Sequence, residues 1–76
     1  MVIFTNIVFT EENVEADAYN DQNGVKAHVV ATLDGENINF TGDSDIVKAT
    51  WNIVVEHEDY VKKGKTYPSE IGVAWG

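Results

Sequence analysis

The sequence predicts an α+β fold: a single antiparallel β-sheet of about four to five strands, in the order β-β-β-β-α-β, with one helix packed on one face. Three observations carry that reading. Residues 1–9 are rich in strand-forming β-branched and aromatic side chains, and residues 14–19 and 25–33 alternate with the period of a strand. Asn23-Gly24 and Asp34-Gly35 follow the two alternating stretches with the residue types of tight hairpin turns. Between Gly42 and Gly64 the polar residues recur every three to four positions, which is the period of a helix.

Each element has its own signal. Residues 1–9 (MVIFTNIVF) are β-branched and aromatic, with Ile3, Ile7 and Phe9 on one alternating set and Val2, Phe4 and Val8 on the other. Two apolar sets on one strand predict a central strand covered on both sides. In residues 11–20, Val14, Ala16 and Ala18 alternate with Glu15, Asp17 and Tyr19, which favours a half-exposed strand. A short helix capped by Thr10 is the alternative, but it would bury only Val14 and Ala18. After the turn at 21–24, Val25, Ala27, Val29, Ala31 and Leu33 alternate without a break against Lys26, His28, Val30 and Thr32. Ile38 and Phe40 then point one way along a fourth strand.

The helix follows. Asp45, Lys48, Asn52, Glu56, Asp59 and Lys63 form one polar stripe, and Asp43 or Ser44 can cap the start. Glu58 with Lys62 and Asp59 with Lys63 are favourable i,i+4 pairs, and Gly64 suits a left-handed C-terminal cap. A run from Trp51 to Val55 has strand propensity, but the caps and the polar stripe decide for the helix. Pro68 holds Tyr67 extended, and Ile71, Val73 and Trp75 alternate as a last strand.

Length and charge bound the function. A chain of 76 residues makes one small acidic domain, expected over 1–76, which buries only roughly 60% of its unfolded surface. Thirteen acids against five lysines give a net charge of −8, and there is no arginine and no cysteine. The absent cysteines exclude a disulfide framework and thiolate metal sites. The charge repels phosphate backbones, so direct nucleic-acid binding is excluded as a partner class. No apolar run has the length of a membrane span, and the first ten residues lack the basic start of a signal peptide, so a cytoplasmic location without membrane association is expected. The Asn39-Phe40-Thr41 sequon is therefore read as coincidence.

Chemistry is sought and mostly absent. His57 is followed by Glu58 but has no second histidine at metal-binding spacing, and Glu56 to Asp59 point in four directions of a helix. Neither Asp34-Gly35-Glu36-Asn37 nor Asp43-Ser44-Asp45 has the ligand spacing of a calcium loop. There is no phosphate-cradling glycine loop and no nucleophile elbow. A non-enzymatic protein without metal or cofactor is expected.

What remains is binding. Residues 1–38 carry seven acids against Lys26 alone, whereas the second half balances six acids with four lysines. The candidate acidic surface is Glu11, Glu12, Glu15 and Asp17, with Asp43, Asp45, Glu56, Glu58 and Asp59, and Tyr19 and Tyr60 are the candidate aromatic anchors. In size and charge the chain resembles the small acidic inhibitors that phages and mobile elements make against basic host proteins such as nucleases, repair enzymes and CRISPR complexes. That resemblance implies a basic protein partner and inhibition by stoichiometric binding, with carboxylates imitating DNA phosphates. Charges that merely solubilise the chain and guard its sheet edges would be placed in the same way. A second reading is an assembly subunit, a homodimer or larger, that associates through an apolar sheet face containing Phe4, Val8 and Val30.

Overall fold

Alternating segments become consecutive strands in the computed structural model, which describes residues 1–74. Strands β1 (Val2–Phe9), β2 (Asn13–Asn20), β3 (Lys26–Thr32) and β4 (Ile38–Gly42) precede helices α1 (Ser44–Val47) and α2 (Thr50–Lys62), and β5 (Ile71–Val73) follows them. The sheet order is β4-β3-β2-β1-β5, with every neighbouring pair antiparallel. Residues 11–20 thus hold a strand, as the alternation required. Of the last strand's expected residues, Trp75 lies outside the described residues.

The core forms between one sheet face and the helices. Val14, Ala16 and Ala18 of β2 and Ala27, Val29 and Ala31 of β3 point into it, and Ile46, Val47, Ala49, Ile53 and Val54 meet them from the helical side. The alanines keep the sheet surface low, and α1 lies close to it, over β3 and β2. Phe4 is the largest side chain with no exposure, a burial that contributes about 2–3 kcal/mol.

The structure departs from the sequence reading at β1. The register slips between Thr5, opposite Asp17, and Val8, opposite Glu15, so β1 carries one extra residue there. Asn6 sits in that bulge with φ 52° and donates from Nδ2 to Asp17 Oδ2 at 3.0 Å. The extra residue reverses the alternation. Val2 and Phe4 point to the core before it, and Ile7 and Phe9 after it. The strand is therefore covered on one side only. Phe4 belongs to the core, and Val8 faces the opposite way.

The turns differ in detail. The β2–β3 loop has four residues, because Tyr19 pairs with Lys26 and the Asn20 N–H reaches Val25 O. Only Gly24 is left-handed, at φ 74°. Asn23 serves through its side chain, whose Oδ1 accepts from the Val25 N–H at 3.0 Å. Gly42 is required by a close approach, since a Cβ there would stand 2.8 Å from Ala27 Cα.

The helical segment is broken where one continuous helix was expected. Asp43 Oδ1 accepts from the N–H groups of Asp45 (2.7 Å) and Ile46 (3.1 Å), capping α1. The N–H groups of Lys48, Ala49 and Asn52 then bond three residues back, to Asp45, Ile46 and Ala49. Such bonds tighten the turn between α1 and α2. At the far end the Gly64 N–H bonds Val61 O and the Lys65 N–H bonds Tyr60 O, closing the left-handed cap expected at Gly64 (φ 68°). Asp59 pairs with Lys63 at 2.9 Å, whereas Glu58 and Lys62 do not close.

An aromatic cluster fastens α2 to the end of β1. The rings of Phe9 and His57 stack at 3.6 Å, and Tyr67 meets both edge-on. The Ile7 N–H then bonds Ser69 O at 3.0 Å, which sets β5 beside β1. No helix among the described residues is long and apolar enough to cross a membrane.

Candidate binding face

The helices lie on one side of the sheet, so the odd residues of β2 and the even residues of β3 face outward. Pairing arranges them in rows across the strands. Ile3, Tyr19 and Lys26 form one row; Thr5, Asp17, His28 and Thr41 the next; Val8, Glu15, Val30 and Asn39 the third. An open depression of about 470 Å³ lies over the first two rows, lined by Thr5, Asp17, Tyr19, Lys26, His28 and Thr41 among others.

His28 is the centre of this face. Its Nδ1 is 2.6 Å from Asp17 Oδ1, and its Nε2 is 2.8 Å from Glu15 Oε2. A neutral imidazole has one N–H, so only the imidazolium donates to both carboxylates. The hydrogen bonds that the ring donates to Asp17 and then to Glu15 accordingly raise the His28 pKa above its ordinary 6.5. Asp17 is held below 3.8, chiefly by His28 and then by Asn6. The two carboxylates bind opposite edges of one ring and do not converge on a common point. Among the described residues, no three His, Asp or Glu side chains are placed to hold a metal ion.

The expected site residues divide among several surfaces. Glu15, Asp17 and Tyr19 share the uncovered face with Val8 and Val30, so part of the expected acidic surface and part of the expected apolar surface are one. Phe4 is absent from it: the bulge at Asn6 turns Phe4 under the helices, where it has 0% exposure.

The other acids lie elsewhere. Glu11 and Glu12 occupy the β1–β2 turn, and the bond from the Leu33 N–H to Glu12 O ties that turn to the β3–β4 turn, which carries Asp34 and Glu36. Among the described residues none of these four makes an ion pair. Asp43 caps α1, and Asp45 is 3.7 Å from Lys48. Glu56 accepts from the Tyr67 hydroxyl at 2.7 Å; burial, and after it this bond, pushes the tyrosine pKa up. Glu58 and Asp59 are exposed on α2. Tyr60 meets Tyr67 edge-on at 4.9 Å, whereas Tyr19 stands exposed beside Ile3 and Lys26.

Sequence reasoning missed His28 and Asn6. The signal for His28 was present: Glu15 and Asp17 alternate outward on one strand and His28 on the next. The four-residue loop supplied the missing fact, because it sets Asp17 directly opposite His28. Comparison with protein-family models, curated proteins and solved structures gives no match.

Proposed function

We propose that this chain is a small non-enzymatic binding protein that blocks a basic, nucleic-acid-handling protein by occupying it through the uncovered sheet face. One observation carries the reading. Strand β2 presents Glu15, Asp17 and Tyr19 on the face that no helix covers, with Val8 and Val30 on either side of Glu15. That combination suits arginine and lysine side chains, whose charged heads meet carboxylates while their stems lie on apolar and aromatic surface. The net charge of −8 adds long-range attraction for a basic partner and speeds encounter.

Contact of this kind differs from imitation of a phosphate row. The carboxylates of the face are two, both engaged by His28, and the aromatic and aliphatic neighbours do as much of the binding. The test begins with affinity capture by the purified chain, followed by titration of the captured enzyme's activity. Inhibition should saturate at one chain per enzyme, and Tyr19→Ala with Glu15→Lys should weaken it at least about tenfold, or ~1.4 kcal/mol, while leaving the chain folded. Inhibition unchanged by those substitutions would remove the face from the mechanism.

A further inference from the structure

We propose that β4 is a self-association edge, on which a second copy of this chain pairs antiparallel so that the two sheets become one. The proposal stands on a different surface from the binding face and does not depend on it.

β4 is the terminal strand of the sheet, and all five of its residues are exposed. Its free edge can be located. The Thr32 N–H bonds Asn37 O, and the Asp43 N–H bonds Lys26 O. Alternation between those two points gives Asn39 and Thr41 to the β3 ladder and turns the N–H and C=O groups of Ile38, Phe40 and Gly42 outward. Exposed edges are ordinarily blunted by lysine, proline, inward charge or a covering element. Among the described residues none of these is present on β4. Residues 37–42 (NINFTG) carry no charge in a chain that is 24% charged. Ile38 and Phe40 point to the helical side, yet remain 37% and 44% exposed, because α1 lies over β3 and β2 more than over β4.

A second copy fits these features. The register that overlaps the whole strand is centred on Phe40. It sets Phe40 against Phe40 of the second copy, Ile38 against Gly42 and Asn39 against Thr41. Asp43 then faces Asn37, and Glu36 faces Ser44, so no two carboxylates are opposed. The arrangement is isologous, as a two-fold dimer requires, and both sets of helices fall on one side of the joined sheet. Two chains of charge −8 repel at long range, so salt should tighten this contact, the reverse of its effect on a basic partner.

The test is the molar mass in solution as a function of concentration, at low and high salt. A mass rising from 8.4 kDa to twice that value, at lower concentration in high salt, is expected. Phe40→Lys should raise the dimer dissociation constant at least about tenfold, with the circular dichroism of the monomer unchanged. Phe40→Pro should do the same, since the N–H it removes faces away from β3. Independently of any variant, amide exchange at Ile38, Phe40 and Gly42 should slow as concentration rises. A chain that stays at 8.4 kDa at every concentration overturns the proposal, including the case where it captures only a foreign extended segment. So does a dimer indifferent to Phe40→Lys but broken by Tyr19→Lys, which would put the contact on the open face.

Discussion

His28 Nδ1 lies 2.6 Å from Asp17 Oδ1, directly across the β2–β3 pair, and this contact decides the protonation of the ring. The second nitrogen is also committed, to Glu15. His57 is the opposite case. It stacks on Phe9, and burial lowers its pKa below 6.5. The two histidines should therefore titrate on opposite sides of 6.5, which proton NMR of the ring C–H signals resolves. Asp17→Asn should bring the His28 midpoint down and leave that of His57 in place. Coincident midpoints would contradict the geometry of both rings.

The same shifts give stability a pH dependence. The raised His28 pKa contributes stability that is complete below 6.5 and lost as pH rises through the higher folded value. The depressed Asp17 pKa contributes stability that is present above 3.8 and lost as pH falls through its lower folded value. The pair thus stabilises most between about 4 and 6.5. Lowered His57 acts the other way, since protonating it below 6.5 works against the folded stack. His28→Gln should flatten the decline of thermal midpoint above pH 6.5, and His57→Gln the decline just below it.

Asn6 holds the bulge in a left-handed conformation at φ 52°. A β-branched residue there meets a steric cost of about 1–2 kcal/mol and gives up the bond to Asp17. Asn6→Val should lower stability by at least that amount in urea unfolding. Asn6→Gly keeps the backbone conformation accessible and should cost less than Asn6→Val.

Phe4 has no exposure, so its replacement reports on the core and not on an interface. Phe4→Ala should cost about 3–5 kcal/mol. Phe4→Asp would bury an unpaired charge and should leave the chain unfolded, whereas Val8→Asp, on the uncovered face, should leave it folded. Circular dichroism and the denaturant midpoint separate the two.

Thr50 is the one fully buried polar residue among those described, and its hydroxyl has no hydrogen-bond partner there. Valine has nearly the same shape and no hydroxyl to desolvate. Thr50→Val should raise stability by about 1–2 kcal/mol. A loss on that substitution would mean that the hydroxyl is satisfied in solution.

Much of the fold was written in local patterns. The alternation of β2 and β3 fixed their faces, and the caps at Asp43 and Gly64 bracketed the helical segment. What local pattern did not carry was any event that inserts or removes one position. The bulge at Asn6 made a one-sided strand look apolar on both sides, since Val2 and Phe4 share a face with Ile7 and Phe9 only after an extra residue. The four-residue loop at 21–24 likewise set which outward residues meet, and with it the Asp17–His28–Glu15 contact. The tightened turn at Lys48 and Ala49 interrupted a polar stripe whose period had suggested one helix. Glu11, Glu12, Glu56 and Glu58 were legible as exposed charge, but their separation from Glu15 and Asp17 is a property of the assembled sheet.

The measurement closest to the central claim is binding of the captured basic enzyme to the wild-type chain, Tyr19→Ala and Glu15→Lys, at low and high salt, by calorimetry. The uncovered face as binding surface requires one-to-one binding that weakens with salt and weakens at least about tenfold in each variant. Salt-insensitive binding that both variants retain in full would contradict it.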